Sequence, residues 1–296
     1  MSMASSFVRY GCLLPFLAAC GGEAGVTMGT DGGADGGPPA YSEPVCAEPL
    51  ASLADLAMAY QNTPEGLRAA AQGIADRRYP IGRAFVDFQT DMQLQAWNQR
   101  RSTFNEVLSN FEVTIHEGQH LWDIRMRSST WPYRLRDDLV IRTQVLRNFN
   151  RSEILRVHTD VASDSYARVY LMGASGMQGF NTLLDEYTAY VHSLASRYCT
   201  RDSLGAGQRI SSRDGILTLM YYVELYLRVA RTDHPEDYQA ILADPEHRRL
   251  ILTNWDRAEF WLRLSEPYPQ LGLRDAMLRG WTYNPENIME IERLRR

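Results

Sequence analysis

The sequence predicts a mainly helical fold with at most a small β-sheet. Apolar residues recur at helical spacing in most segments that follow Glu48. Residues 216–230 are apolar nearly all round, which is typical of a helix buried in a protein core. Residues 76–100, which precede the motif described below, carry few of the signals that indicate strands. We therefore expect a single mainly helical domain over residues 46–296.

The amino-terminal residues have the pattern of an export signal, with Arg9 ahead of a short apolar run at 11–19. That run is too short to span a bilayer as a helix. It ends in Leu17-Ala18-Ala19-Cys20, which resembles the lipobox of bacterial lipoproteins. The resemblance implies that residues 1–19 are removed, that Cys20 carries lipid, and that the protein is anchored in the cell envelope. The residue after the cysteine is Gly21 rather than Asp, as in the lipoproteins that are sorted to the outer membrane. Ordinary secretion without a lipid anchor is the alternative.

Residues 20–45 are rich in Gly, Asp and Pro and contain few large apolar side chains. Such a segment buries too little surface to offset the entropy lost on ordering, so we expect a flexible tether. The net charge of −5 gives no reason to expect a nucleic-acid partner.

Four cysteines are present, and two of them fall in the predicted signal and lipobox. Cys46 and Cys199 remain, and an exported protein seldom keeps free thiols. They form one possible disulfide, with two separate thiols as the alternative.

The sequence His116-Glu117-Gly118-Gln119-His120 lies in a predicted helix that begins near Ser102 or Thr103, where Thr103 and Glu106 match a capping box. On a helix, side chains four residues apart share a face, so His116 and His120 can present nitrogens to one metal ion. The predicted core stripe of this helix lies elsewhere on its surface and comprises Phe104, Val107, Leu108, Phe111, Ile115, Trp122 and Met126. The segment that follows, 125–136, is expected to be an exit loop.

This H-E-x-x-H pattern resembles the zincin metallopeptidases. The resemblance implies that His116 and His120 bind Zn²⁺, that Glu117 is the general base, and that the substrate is a peptide or protein. Two histidines that merely line a surface are the alternative interpretation. A purely structural metal would need Cys46 or Cys199 as a further ligand.

A catalytic zinc usually has three protein ligands, so a third must come from elsewhere in the chain. The metzincin spacing is excluded, because Met126 stands where that subclass has its third histidine. The gluzincin relatives take a Glu from a downstream helix, and Glu186 in the predicted helix 181–197 fits that pattern. The other candidates for the third ligand are His158, Asp164, His192 and Glu224.

Supporting residues are also predicted around this site. Asp123, one turn after His120, is the candidate that orients a ligand histidine. Asp185 and His192 are expected on the solvent-facing side of the second helix. The candidates that stabilise the oxyanion are Tyr187, Tyr190, His158 and His192.

These patterns together predict an envelope-tethered zinc metallopeptidase in which Glu117 activates a water. The alternative function is a non-catalytic helical lipoprotein of the envelope in which the motif is inert.

Overall fold

The protein is described by a computed structural model over residues 41–205 and 207–296. The predicted signal peptide, the lipobox with Cys20 and residues 20–40 of the predicted tether lie outside the described residues. Within them, helices account for most of the chain and one two-stranded antiparallel sheet is present, so the mainly helical prediction is confirmed. No helix of these residues is both long and apolar enough to cross a membrane.

The elements follow one another in a simple order along the described chain. The part before the sheet contains α1 (Ala54–Ala59), α2 (Pro64–Arg78), α3 (Arg83–Phe88), α4 (Asp91–Trp97), α5 (Phe104–Ser109) and α6 (Phe111–Met126). The sheet is formed by β1 (Thr130–Arg136) and β2 (Leu139–Gln144). The remaining helices are α7 (Ala167–Tyr170), α8 (Gly173–Gly176), α9 (Phe180–Cys199), α10 (Ser212–Asp233), α11 (Pro235–Ala243), α12 (Pro245–Ser265), α13 (Asp275–Thr282) and α14 (Pro285–Arg295).

Helix α9 is the most central helix of the folded unit that begins at Tyr41. It packs against α6, α10 and α12 and is buried along nearly its whole length. Helix α10 is buried just as extensively, which confirms the core helix predicted at 216–230. Each large apolar side chain buried in this way contributes roughly 1.5–3 kcal/mol to folding. Helix α6, which carries the motif, therefore packs against a helix that is buried along nearly its whole length.

Helix α6 begins later than the sequence suggests. The capping box of Thr103 and Glu106 is present, but it caps the short helix α5, and α6 starts at Phe111 after a break at Asn110. The predicted core stripe is buried except for Met126, which is 40 % exposed at the last position of α6.

Residues 125–136 were expected to be a loop, and that prediction is wrong. Strand β1 begins at Thr130 and pairs with β2 through a turn at 137–138. Trp131, Tyr133 and Leu135 alternate into the core, which is the two-residue period of a strand. Pro132 obscured this pattern, yet a two-stranded sheet has only edge strands, where proline is tolerated.

The predicted tether extends too far at its carboxyl end. Residues 41–45 belong to the folded unit, which begins at Tyr41. Glu43 is buried, forms an ion pair with Arg257 at 2.8 Å and accepts a hydrogen bond from the indole of Trp261. Cys46 and Cys199 are joined in a disulfide with a Cα–Cα distance of 5.6 Å, as the sequence predicts.

Candidate metal centre

Two helices bring three possible ligands together. His116 and His120 project from α6, and Glu186 projects from α9. The Nε2 atoms of the two histidines are 3.1 Å apart. Oε2 of Glu186 lies 3.7 Å from Nε2 of His116 and 3.3 Å from Nε2 of His120. Among the described residues this is the one group of three or more His, Cys, Asp or Glu side chains placed to hold a metal ion.

These separations fit a tetrahedral ion. Bonds of about 2.0–2.1 Å at tetrahedral angles place neighbouring ligand atoms roughly 3.3–3.4 Å apart. The three observed distances, 3.1, 3.3 and 3.7 Å, are distributed around that value. Cys46 and Cys199 are bonded to each other, so neither can serve as a fourth ligand. The donor set is thus two imidazoles and one carboxylate.

Hydrogen bonds on the far side of each ring fix the histidine tautomers. Nδ1 of His120 lies 2.7 Å from Oδ2 of Asp185, and a carboxylate can only accept, so the proton resides on Nδ1. Nδ1 of His116 lies 3.0 Å from Oγ of Ser193. The hydroxyl of Ser193 donates to the backbone carbonyl of Ala189, and its oxygen therefore accepts from His116. Both Nε2 atoms are left with lone pairs directed at each other.

Two lone pairs and a carboxylate oxygen converge here, and a cation between them would be stabilised by all three. Without a metal the cation is a proton. Burial lowers the pKa of His120, but the carboxylates of Asp185 and Glu186 outweigh burial and raise that pKa well above its ordinary value. Burial opposes ionisation of Glu186, yet the two imidazoles hold its pKa below the ordinary value. A metal ion at the same atoms would replace the proton.

Asp185, rather than Asp123, is the carboxylate that orients a ligand histidine. Asp123 is fully buried one layer further out, where it accepts a hydrogen bond from Gln119 at 2.7 Å. Burial and the charge of Asp185 raise the pKa of Asp123 well above its ordinary value. Asp185 itself accepts from His120. Asp123 was predicted to contact a ligand histidine directly, and that prediction is wrong, because Asp185 makes this contact instead.

Sequence reasoning missed Asp185 because it placed this residue on the solvent side of α9. That assignment is wrong, since Asp185 is only 6 % exposed. A helical wheel separates a buried face from an exposed one, whereas α9 has neighbours on nearly every side. Ser193 could have been found, because Glu186, Tyr190 and Ser193 follow the i, i+4, i+7 spacing of one helical face.

Tyr190 is the predicted supporting residue that the structure places at the centre. Its ring packs edge-on against His116 with 4.8 Å between ring centroids, and its hydroxyl hydrogen-bonds the hydroxyl of Tyr170 at 2.7 Å. Gly215 of α10 makes room for this ring, because a Cβ at that position would lie 2.1 Å from it.

The other predicted supporting residues lie elsewhere. The hydroxyl of Tyr187 donates to the carbonyl of Asn254, and the ring is fully buried against α12. His158 is buried, hydrogen-bonds Asp164 at 2.8 Å and packs beside Tyr221. Because Tyr187 and His158 are buried away from the two motif histidines, neither can stabilise an oxyanion at this centre.

The remaining alternatives for the third ligand are also accounted for. His192 is fully buried instead of solvent-facing, and its two nitrogens contact the hydroxyl of Tyr79 and the carbonyl of Arg134. Asp164 is occupied by His158 and Tyr222. Glu224 is buried in α10. None of these joins the two motif histidines.

Two residues of the motif have different roles in this geometry. Glu117 is half-buried next to His116 and forms no hydrogen bond or ion pair within the described part of the chain. Gly118 faces α3, where a Cβ would come within 2.9 Å of the Phe85 carbonyl oxygen. The motif thus offers two ligands, one carboxylate without a partner and one contact point for packing.

No family model, curated protein or solved structure matches the chain. The chemistry of the centre follows from the positions of its own residues.

Proposed function

We propose that the chain is a zinc-dependent metallopeptidase of the gluzincin kind. The convergence of His116, His120 and Glu186 with their tautomers set by Asp185 and Ser193 carries this proposal. Two histidines and a glutamate are a known ligand set of catalytic zinc and leave a coordination position for water. Structural zinc sites instead fill all four positions with protein ligands, which favours catalysis here.

The side chains around the centre support hydrolysis of a peptide bond. Zinc bound there would lower the pKa of a coordinated water and polarise the substrate carbonyl. Glu117 takes one proton from the attacking water and transfers it to the amine as the C–N bond breaks. Tyr190, which contacts His116, is the candidate donor to the carbonyl oxygen. Ser193 and Asp185 keep the two imidazoles in position.

The site of action is proposed from the sequence and from one structural feature. The lipobox at Cys20 supports a lipid anchor in a bacterial envelope, with the outer membrane favoured by Gly21. The disulfide between Cys46 and Cys199 supports an oxidising compartment, because such bonds are rare in the reducing cytosol.

The role of Glu117 is tested by Glu117→Gln. The variant should bind zinc with wild-type stoichiometry while hydrolysis of a fluorogenic peptide mixture falls about 100-fold or more, since the general base is lost. Metal content and initial rates are measured on the same preparation, with Glu266→Gln as the matched control at an exposed position. Unchanged hydrolysis by the Glu117 variant would refute the assignment.

A further inference from the structure

Three separate contacts hold the side chain of Tyr190 beside the metal centre. Its ring meets the ring of His116 edge to face, with 4.8 Å between the centroids. Gly215 of α10 packs closely against the same ring, since a Cβ there would lie 2.1 Å from two ring carbons. The hydroxyl oxygen of Tyr170 lies 2.7 Å from the hydroxyl oxygen of Tyr190. The ring of Tyr190 and its hydroxyl are therefore held by different partners.

Tyr190 lies on the side of α9 that carries the ligand Glu186. The two residues are four apart in one helix, so their side chains share a face. A long side chain on a helix extends back over the turn before its own Cα, which directs the Tyr190 ring towards Glu186. Tyr190 and Glu186 are both partly exposed, whereas Tyr170 is only 3 % exposed. Tyr190 thus connects a buried hydroxyl with the partly open metal centre.

Tyr170 is held in turn by the buried cation of Arg151. The guanidinium carbon lies 5.7 Å from the centroid of the Tyr170 ring, which is a cation–π contact. Arg151 is fully buried and donates to the carbonyl oxygen of Ser175 at 2.9 Å and to the hydroxyl of Ser175. Its backbone amide donates to the carbonyl of Gln178 at 2.8 Å. These bonds fix the segment that carries Tyr170, and with it the position of the Tyr170 hydroxyl.

The number of protons decides how the two hydroxyls can pair. A phenolic hydroxyl donates one proton and can also accept a hydrogen bond. When Tyr190 donates its proton to an oxygen at the metal centre, the bond between the two tyrosines can run only from Tyr170 to Tyr190. A hydroxyl that accepts a hydrogen bond in this way is polarised and becomes a stronger donor. The positive charge of Arg151 beside Tyr170 stabilises negative charge that spreads onto the pair.

We propose that Tyr170 is a positioning residue that makes Tyr190 a donor to a negatively charged oxygen at the metal centre. In peptide hydrolysis this atom is the carbonyl oxygen of the substrate, which gains negative charge as water attacks. The assignment rests on the proposed function, in which Tyr190 is the oxyanion donor. Because the negative charge develops in the transition state, Tyr170 contributes to kcat rather than to KM.

Binding of a small anion to the zinc-loaded full chain tests the pair without catalysis. Acetohydroxamate binds zinc through two oxygens that share one negative charge, and it needs no side-chain pocket. By calorimetry, Tyr190→Phe should weaken its binding about tenfold or more, and Tyr170→Phe about three- to tenfold, because hydrogen bonds are lost. Tyr166→Phe is the matched control and should bind as the wild type does. Its ring stacks on Tyr170, but its hydroxyl donates to the carbonyl of Ser211.

A double-mutant cycle separates positioning from an independent effect of Tyr170. In the Tyr190→Phe background, Tyr170→Phe should cause no further loss of affinity, because the hydroxyl that it positions is absent. An equal loss in both backgrounds would overturn the proposal, as would wild-type affinity in Tyr170→Phe alone. Zinc affinity, measured with a chelating dye, should be the same in all variants. A loss of zinc affinity in Tyr170→Phe would assign this residue to the support of His116 and would also overturn the proposal.

Kinetics of the zinc-loaded full chain separate this inference from the proposed function. Tyr170→Phe should lower kcat about three- to tenfold with little change in KM, and Tyr190→Phe should lower kcat about 100-fold. A raised KM with unchanged kcat in Tyr170→Phe contradicts the positioning role but leaves the peptidase proposal standing. A wild type that hydrolyses no peptide, while acetohydroxamate binding follows the expected series, contradicts only the peptidase proposal.

Discussion

At the scale of single residues, the geometry of the candidate metal centre depends on the side chains that hydrogen-bond its two histidines. Asp185 fixes the Nδ1 proton of His120, and Ser193 does the same for His116. Both come from α9, as does Glu186, so one helix supplies a candidate ligand and both groups that hydrogen-bond the histidines. The spacing of His116 and His120 predicted them as ligands, and the resemblance to gluzincins added Glu186. The sequence could not identify Asp185, because the environment of a residue on α9 depends on neighbours distant in the chain.

Replacement of Asp185 by Asn should weaken zinc binding. The amide cannot provide the negative charge that stabilises the Nδ1 proton of His120, and loss of such a partner typically reduces metal affinity about 10–100-fold. Competition with a chelating dye at pH 7 measures the change. Asp138→Asn, at an exposed turn position, is the control and should bind zinc as the wild type does. Wild-type affinity in the Asp185 variant would show that the hydrogen bond has no orienting role.

Glu224 is a second residue with a specific consequence, in this case for stability. It is fully buried in α10, and both of its oxygens lack a hydrogen-bond partner within the described residues. Burial raises its pKa from 4.5 to about 10; Arg228 opposes this shift, and Glu290 and Glu259 add to it. The folded protein therefore holds a proton that the unfolded chain releases above pH 4.5.

This proton makes stability fall with rising pH. The contribution is present in full below pH 4.5 and is lost progressively as the pH rises through about 10, at about 1.4 kcal/mol per pH unit. Glu224→Gln should remove that dependence and be more stable than the wild type by a few kcal/mol at pH 8. Urea unfolding at pH 5 and pH 8 measures it, with Glu266→Gln as the control. Parallel curves for wild type and Glu224→Gln would contradict the shift.

At the scale of elements, the position of α6 depends on close packing against α3. Gln89, just after α3, donates to the carbonyls of Phe85 and Thr114 and so connects the two helices. Gly118 lies at their closest approach. Sequence periodicity predicted α6 itself, but the hairpin that follows was missed because Pro132 hid its alternation. Such elements are stabilised by contacts with distant residues, which periodicity does not reveal.

Replacement of Gly118 by Ala should destabilise the protein and the centre together. The new methyl group would lie 2.9 Å from the backbone oxygen of Phe85, so α3 and α6 must separate. Overpacking of this kind costs about 1–3 kcal/mol. Thermal unfolding and zinc titration measure the two effects. Gly280→Ala in α13 is the matched control, since a Cβ there has open space and should be neutral or slightly stabilising.

At the scale of the whole molecule, the helical fold and the disulfide were predictable because they leave local or compositional signals. The packing of residues 41–45 onto the folded unit was not. Glu43 and Arg257 are far apart in sequence, and their buried ion pair follows from three-dimensional structure alone. Glu186 was only partly predictable. A resemblance indicated it as a candidate, but its position within 3.7 Å of both histidines follows from the packing of α9 on α6.

The most direct test is the zinc content and zinc coordination of the purified full chain. Mass spectrometry of the metal and X-ray absorption should find one zinc per chain, with two imidazole nitrogens and a carboxylate oxygen at about 2.0–2.1 Å. His116→Ala, His120→Ala and Glu186→Ala should each reduce the bound zinc. A chain that takes up no zinc on titration, or a Glu186→Ala variant with unchanged coordination and affinity, would contradict the account.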